Sequence, residues 1–72
     1  MKKEKLLALG HKSRLERLKR QMSQEEFAEK VGISRRAISC IECGINDPKY
    51  TSLLGIAEAL EMEVYELLNF KL

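Results

Sequence analysis

The sequence predicts an all-α fold, a compact bundle of five short helices, and three observations favour it. No stretch alternates β-branched or aromatic residues with polar ones, as a half-buried strand would. Capping boxes, in which serine is followed three residues later by glutamate, begin helices at residues 13–16 (SRLE) and 23–26 (SQEE). Gly32 and Gly44 each follow a short apolar pattern of helical period, where a left-handed glycine can end a helix.

The first capping box predicts that the first helix begins at Ser13. The apolar positions that then recur at helical spacing, and are expected to face the core, are Leu15, Leu18 and Met22. Residues 1–12 are basic, and we expect an N-terminal extension there, either a tail or a short docked helix. The predicted organisation is this extension followed by a single domain over residues 13–70.

Four more helices are predicted after the second box. The second helix ends at Gly32, and Ser34 is placed to cap the third. The fourth covers about residues 51–60 and the fifth about 64–69. Gly55 lies inside the fourth helix, where glycine costs about 1 kcal/mol relative to alanine, and the sequence gives no reason for it.

The charge of the chain is unevenly distributed. The 72 residues carry a net charge of +2, but residues 1–20 hold eight Lys/Arg and two Glu, while residues 51–72 hold one basic and four acidic residues. Such asymmetry permits a polyanionic partner on one side. The longest aliphatic run has four residues, too short for a signal sequence or a membrane span, so a cytoplasmic protein without a membrane partner is expected.

Helices two and three, with a three-residue turn between them, predict a helix-turn-helix, whose second helix can enter the major groove of DNA. This recognition helix covers about residues 35–43, and its expected outward positions are Arg35, Arg36, Ser39, Cys40 and Cys43. Arginine can donate two hydrogen bonds to guanine, serine can bond several bases, and cysteine can contact a thymine methyl. Double-stranded DNA is therefore the expected partner. The alternative is that the two arginines are only solvated charges.

Three polar residues flank this helix where the sugar–phosphate backbone would pass. The expected phosphate contacts are Gln24, Asn46 and Lys49.

Residues 14–68, RLERLKRQMSQEEFAEKVGISRRAISCIECGINDPKYTSLLGIAEALEMEVYELL, resemble the Xre/Cro/C1-type helix-turn-helix family of phage and bacterial repressors. The resemblance implies a five-helix, lambda-repressor-like DNA-binding domain that acts as a dimer on near-palindromic operators, and a transcriptional regulator that represses. It also implies that Glu42 pairs inward with a basic residue of the first helix, for which Lys19 and Arg17 both qualify. The DNA-facing positions it implies are Gln24, Ser34, Arg35, Arg36, Ser39 and Cys40.

The Cys-x-x-Cys at Cys40 and Cys43 is the main feature that could indicate a metal or redox site instead of a DNA-binding surface. A structural zinc site takes four ligands, and the chain adds only His11 from outside that helix. A redox pair gains from a helix N-terminus, whereas these cysteines lie towards the C-terminal end. No catalytic triad or phosphate-binding loop is evident either. We therefore expect no metal, no cofactor and no enzymatic activity; the alternative is a metal site that two subunits complete together.

The C-terminal segment carries more apolar residues than one short helix can bury. The candidates for a dimer surface are Tyr65, Phe70 and Leu72. Equally, Phe70 and Leu72 could fold back on the bundle. If the surface stays open, an antitoxin-like module that binds a small protein partner is the alternative function.

Overall fold

The computed structural model describes residues 2–70, and the described chain is all-helical, as predicted. It holds five helices without any strand: α1 (Lys3–Lys19), α2 (Gln24–Val31), α3 (Arg35–Glu42), α4 (Tyr50–Ala59) and α5 (Val64–Leu67). Helix α3 packs between α1 and α2, α2 also packs on α4, and α5 joins α4 to α1.

Helix α1 begins much earlier than predicted. The helix start at Ser13 is wrong, because the helix already begins at Lys3 and residues 3–12 form its first turns. Ser13 is fully buried inside the helix instead of capping it. Gly10 allows this arrangement, since a β-carbon there would lie 2.6 Å from the carbonyl oxygen of Glu42 at the end of α3. The domain boundary at residue 12 stays a prediction, but no break in the helix marks it.

The buried face of α1 also differs from the predicted one. Leu15 and Leu18, expected in the core, are 45% and 48% exposed, whereas Met22 is buried as predicted. The residues of α1 that are buried are Leu9, Gly10, Ser13 and Arg17. The predicted face was wrong because the buried stripe contains a glycine, a serine and an arginine beside Leu9, while Leu15 and Leu18 lie on the solvent side.

The ends of α2 and α3 follow the predicted signals. The Ser23 hydroxyl accepts a hydrogen bond from the Glu26 amide, and the Glu26 carboxylate accepts one from the Ser23 amide, which completes the capping box. Gly32 has φ +88° and ψ +27°, the left-handed conformation that ends α2. The Ser34 hydroxyl then accepts the amide of Ala37 at 3.0 Å and caps α3.

Helix α4 shows why Gly55 is present. A β-carbon on Gly55 would lie 2.9 Å from the carbonyl oxygen of Val31, so glycine lets α4 approach the end of α2 closely. The helix begins at Tyr50, one residue before the predicted start, and its N-cap residue, Lys49, makes no side-chain capping bond. Helix α5 ends at Leu67, two residues earlier than predicted.

One apolar core joins all five helices. Its largest fully buried side chains are Phe27, Leu9, Ile38, Ile56, Leu60 and Leu67. At about 25 cal/mol per Å² of buried apolar surface, a core of this kind is the main source of stability in a small domain. Because Ile38 and Ile41 of α3 belong to this core, the opposite face of α3 is the face left towards solvent.

Candidate nucleic-acid interface

Helix α3 presents two arginines at its N-terminal end. Arg35 and Arg36 are both exposed and directly follow Ser34, the N-cap residue of the helix. On the other side of the same helix, Ile38 and Ile41 are 1% and 6% exposed. The apolar side is therefore fixed to the bundle, and the guanidinium groups extend into solvent on long side chains.

Two backbone hydrogen bonds to one carbonyl hold the turn before α3. The carbonyl of Ala28 accepts two hydrogen bonds, from the amides of Gly32 at 2.8 Å and Ile33 at 3.1 Å. Ala28 is itself 4% exposed, and its small side chain permits α2 and α3 to approach closely. The two helices thus form the helix-turn-helix unit that the sequence predicts, with the second helix on the outside.

A buried ion pair ties the last residue of α3 to α1. The Arg17 Nε donates to Glu42 Oε2 at 2.7 Å, and its Nη2 donates to Oε1 at 3.2 Å. The Arg17 and Glu42 side chains are only 8% and 3% exposed, so this is a two-pronged contact shielded from water. Arg17 also donates from Nη1 to the carbonyl of Met22 at 2.7 Å. Between the two partners that the sequence offered for Glu42, the structure selects Arg17.

Lys19, the other candidate, lies elsewhere on α1. Its ammonium contacts Glu16 at 3.2 Å, and Arg20 contacts the same carboxylate at 2.8 Å. The hydrogen bond from Arg20 is the main reason why the pKa of Glu16 lies below its ordinary value, with Lys19 adding to it. This cluster is on the surface and makes no contact with Glu42.

Gln24 shares the acceptor that Arg17 uses. Its Nε2 donates to Glu42 Oε1 at 3.0 Å, so the amide group at the start of α2 is oriented by the end of α3. An amide nitrogen has two hydrogens, which leaves one donor, and the amide oxygen, for an outside ligand. The sequence suggested Gln24 as a phosphate contact but gave no signal for this link to Glu42.

The other predicted contact residues lie on or beside the outward face of α3. Ser39 and Cys40 are half-buried, Asn46 and Lys49 are exposed in the segment before α4, and Ser34 uses its hydroxyl oxygen as the α3 cap. Cys40 and Cys43 are both free thiols. Within residues 2–70, no group of three or more His, Cys, Asp or Glu side chains could hold a metal ion.

The C-terminal candidates for a dimer surface separate into different environments. Tyr65 is 74% exposed, whereas Phe70 is half-buried and packs against the core. Lys12 of α1 donates to the carbonyl of Asn69 at 3.0 Å and holds this segment against the bundle. Leu72 lies outside the described residues. No helix in the described part of the chain is long and apolar enough to cross a membrane.

The sequence-based predictions did not include Gly10, the residue of α1 that lies against the C-terminal end of α3. Gly10 lies against the carbonyl oxygens of Ile41 and Glu42, so the backbones of α1 and α3 approach within a distance that no side chain would permit. A glycine inside a basic helical pattern was the available signal, because glycine in a helix interior is unfavourable unless close packing requires it.

A capped, outward-facing helix with basic residues at its N-terminal end, held by a preceding helix across a tight turn, defines a helix-turn-helix DNA-binding domain. The helix-turn-helix family model matches residues 14–67, about three quarters of the sequence, and the chain belongs to the Xre/Cro/C1-type helix-turn-helix family. This is the family of DNA-binding transcriptional regulators that the sequence resembled.

One curated relative is an uncharacterized HTH-type transcriptional regulator, YqaE, from Bacillus subtilis (strain 168). It is 33% identical over 53 residues, which cover 74% of this chain but 46% of the relative. The chain therefore spans about half the length of that protein.

Three solved structures share the fold. The restriction-modification controller protein C.AhdI from Aeromonas hydrophila is 31% identical with a TM-score of 0.84, over 86% of this chain and 94% of its own. The hypothetical transcription factor NHTF from Neisseria is 31% identical with a TM-score of 0.83, over 93% and 76%. The clp gene regulator ClgR from C. glutamicum is 26% identical with a TM-score of 0.82, over 89% and 83%.

Proposed function

We propose that this protein binds double-stranded DNA sequence-specifically and regulates transcription, with α3 as the recognition helix and without catalytic activity. The observation that carries the proposal is the exposure of Arg35 and Arg36 at the N-terminal end of a helix whose other face is buried. In a docked helix-turn-helix, that end of the second helix approaches the base edges. A regulator of this kind works in the cytoplasm, at the nucleoid.

The contacts divide into those that select the sequence and those that position the domain. Arg35 and Arg36 each offer two parallel donors to O6 and N7 of guanine, and such a pair discriminates by about 1–3 kcal/mol. The other base contacts proposed are Ser34, Ser39 and Cys40. The proposed phosphate contacts are Gln24, Asn46 and Lys49, and Gln24 is favoured because Glu42 already orients its amide.

We propose a homodimer on a near-palindromic operator. Two copies related by a two-fold axis would place their recognition helices about 34 Å apart, one turn of duplex. Tyr65 is the most exposed large hydrophobic side chain of the described residues and supplies apolar area for such an interface, whereas Phe70 packs against the core and offers only its exposed part. Repression follows if the dimer occupies a duplex that the transcription machinery also needs.

The test is selection of bound sequences from a random duplex library, followed by affinity measurements on the enriched sequence. Arg35→Ala and Arg36→Ala should each lower affinity by about 5-fold to 150-fold and broaden the base preference at one position, because each loses about 1–3 kcal/mol. The matched control is Lys30→Ala, which removes one positive charge from the side of α2 that carries Glu26 and Glu29.

A symmetric enriched motif would support the dimer, whereas a single half-site would contradict it. If Arg35→Ala and Arg36→Ala bind the same sequence as tightly as Lys30→Ala does, α3 is not the recognition helix. If the wild-type protein enriches no sequence at all, the proposal of specific DNA binding is wrong.

A further inference from the structure

The N-terminal turns of α1 continue along the end of the recognition helix. Lys3, Leu7 and Gly10 are spaced by four and three residues, so they lie on one side of α1. Gly10 on this side is pressed against the carbonyl oxygens of Ile41 and Glu42. The side of α1 that carries Lys3 is therefore the side turned towards the C-terminus of α3.

Contacts one and two turns earlier bring the same side of α1 to the residues that follow α3. A β-carbon on Gly44 would lie 3.0 Å from the Leu7 Cα, so the α1 backbone runs directly beside Gly44. One turn further, Lys3 lines a surface groove together with Cys43 and Ile45. Lys3 is exposed and thus has its ammonium group free to extend beyond the C-terminal end of α3.

The C-terminal end of α3 is where the sugar–phosphate backbone that borders the major groove would pass. Helix α3 has eight residues and is about 12 Å long, and the major groove is also about 12 Å wide. A helix of this length whose N-terminal end approaches the bases has its C-terminal end at the rim of the groove. Lysine suits that position, because its ammonium is a point charge on a flexible stem and binds phosphate without strict geometry.

We infer that Lys3 is a further phosphate-contact residue, which extends the duplex-binding surface from α2 and α3 onto the first turn of α1. The inference rests on the proposed function, since it requires α3 to occupy the major groove. The chain supplies its own control. Lys5 carries the same charge on the same turn, but two residues correspond to about 200° of rotation, so Lys5 lies on the side away from α3.

The experiment compares Lys3→Ala with Lys5→Ala in the full chain. Affinity for a duplex enriched from the random library is measured over a range of salt concentrations. Each neutralised phosphate contributes about −0.9 to the slope of log K against log salt, so Lys3→Ala should make the slope shallower by about 0.9 and Lys5→Ala should leave it unchanged. Amine-reactive labelling of the wild-type complex should show Lys3 protected by DNA and Lys5 still reactive.

If both variants lose the same small amount of affinity and neither lysine is protected from labelling, the inference is wrong, and the two lysines act only by long-range electrostatic attraction to DNA. Unchanged binding by Lys3→Ala, with Arg35→Ala impaired, would overturn it while leaving the proposed function intact. Failure of the wild-type protein to bind any duplex would refute the proposed function and this contact together. Circular dichroism of both variants should match the wild type, because both lysines are exposed.

Discussion

The buried ion pair between Arg17 and Glu42 gives the sharpest test of how α3 is held in the bundle. Arg17→Met removes the guanidinium and keeps a long apolar stem. It leaves the Glu42 carboxylate, 3% exposed, with the amide of Gln24 as its remaining side-chain donor. It also deprives the Met22 carbonyl of its hydrogen bond. The variant therefore leaves a buried carboxylate at the end of α3 without its cationic partner.

The expected effect is large relative to the stability of the whole domain. Removing one partner of a buried pair costs about 3–5 kcal/mol. A domain of 72 residues is stable by only about 4–11 kcal/mol. At about 4–8 °C per kcal/mol, the Tm should fall by about 12–40 °C. Replacing both partners, Arg17→Met with Glu42→Leu, should recover most of this loss, because no charge is then left buried.

Urea and thermal unfolding, followed by far-ultraviolet circular dichroism, would measure these differences. The matched control is Arg20→Met, since Arg20 pairs with Glu16 at 2.8 Å but its side chain is 35% exposed. Such a surface pair contributes about 0–1 kcal/mol. A destabilising buried charge is excluded if Arg17→Met lowers the free energy of unfolding no more than Arg20→Met does, or if the double variant is as unstable as Arg17→Met alone.

Two further predictions concern serine and glutamate side chains of the first two helices. Ser13→Ala should leave stability unchanged or raise it by about 1 kcal/mol, because the Ser13 hydroxyl is fully buried without a hydrogen-bond partner, whereas Ser23→Ala should cost about 1 kcal/mol through loss of a cap. Chemical denaturation of both variants checks the signs, and a destabilised Ser13→Ala would mean that its hydroxyl is bonded after all. The second prediction is about pH. The bond from the Ser23 amide holds the pKa of Glu26 below its ordinary value of 4.5, so this stabilisation is present above that value and is lost as the pH falls through the lower, folded-state pKa. Glu26→Gln should therefore lose less stability than the wild type on acidification, and identical acid titrations of the two proteins would contradict this.

Local signals predicted the centre of the fold well. The Ser23 box, left-handed Gly32 and the Ser34 cap each act within four residues, so their effect could be deduced from the sequence alone. The start of α1 could not be deduced in this way. Residues 13–16 match a capping box equally well, but Gly10 lets the helix continue under the end of α3, a contact between residues more than thirty positions apart.

In the candidate site, too, the features set by local sequence could be predicted and those set by tertiary packing could not. Exposure of Arg35 and Arg36 followed from helical periodicity around Ile38 and Ile41. The partner of Glu42 could not be predicted from periodicity, because the choice between Arg17 and Lys19 depends on which side of α1 faces the core. The exposed leucines of that helix indicated the wrong side. The position of Lys3 beside α3 likewise depends on tertiary packing.

In α3, the residues that hold the helix in the bundle are different from the residues that face solvent. Ile38, Ile41 and Glu42 anchor it through the core and the ion pair, while Arg35 and Arg36 take no part in either. A handful of outward side chains can consequently be exchanged without disturbing the scaffold. Under the proposed function, such exchanges would change the DNA sequence that the protein prefers while the fold of its 72 residues is kept.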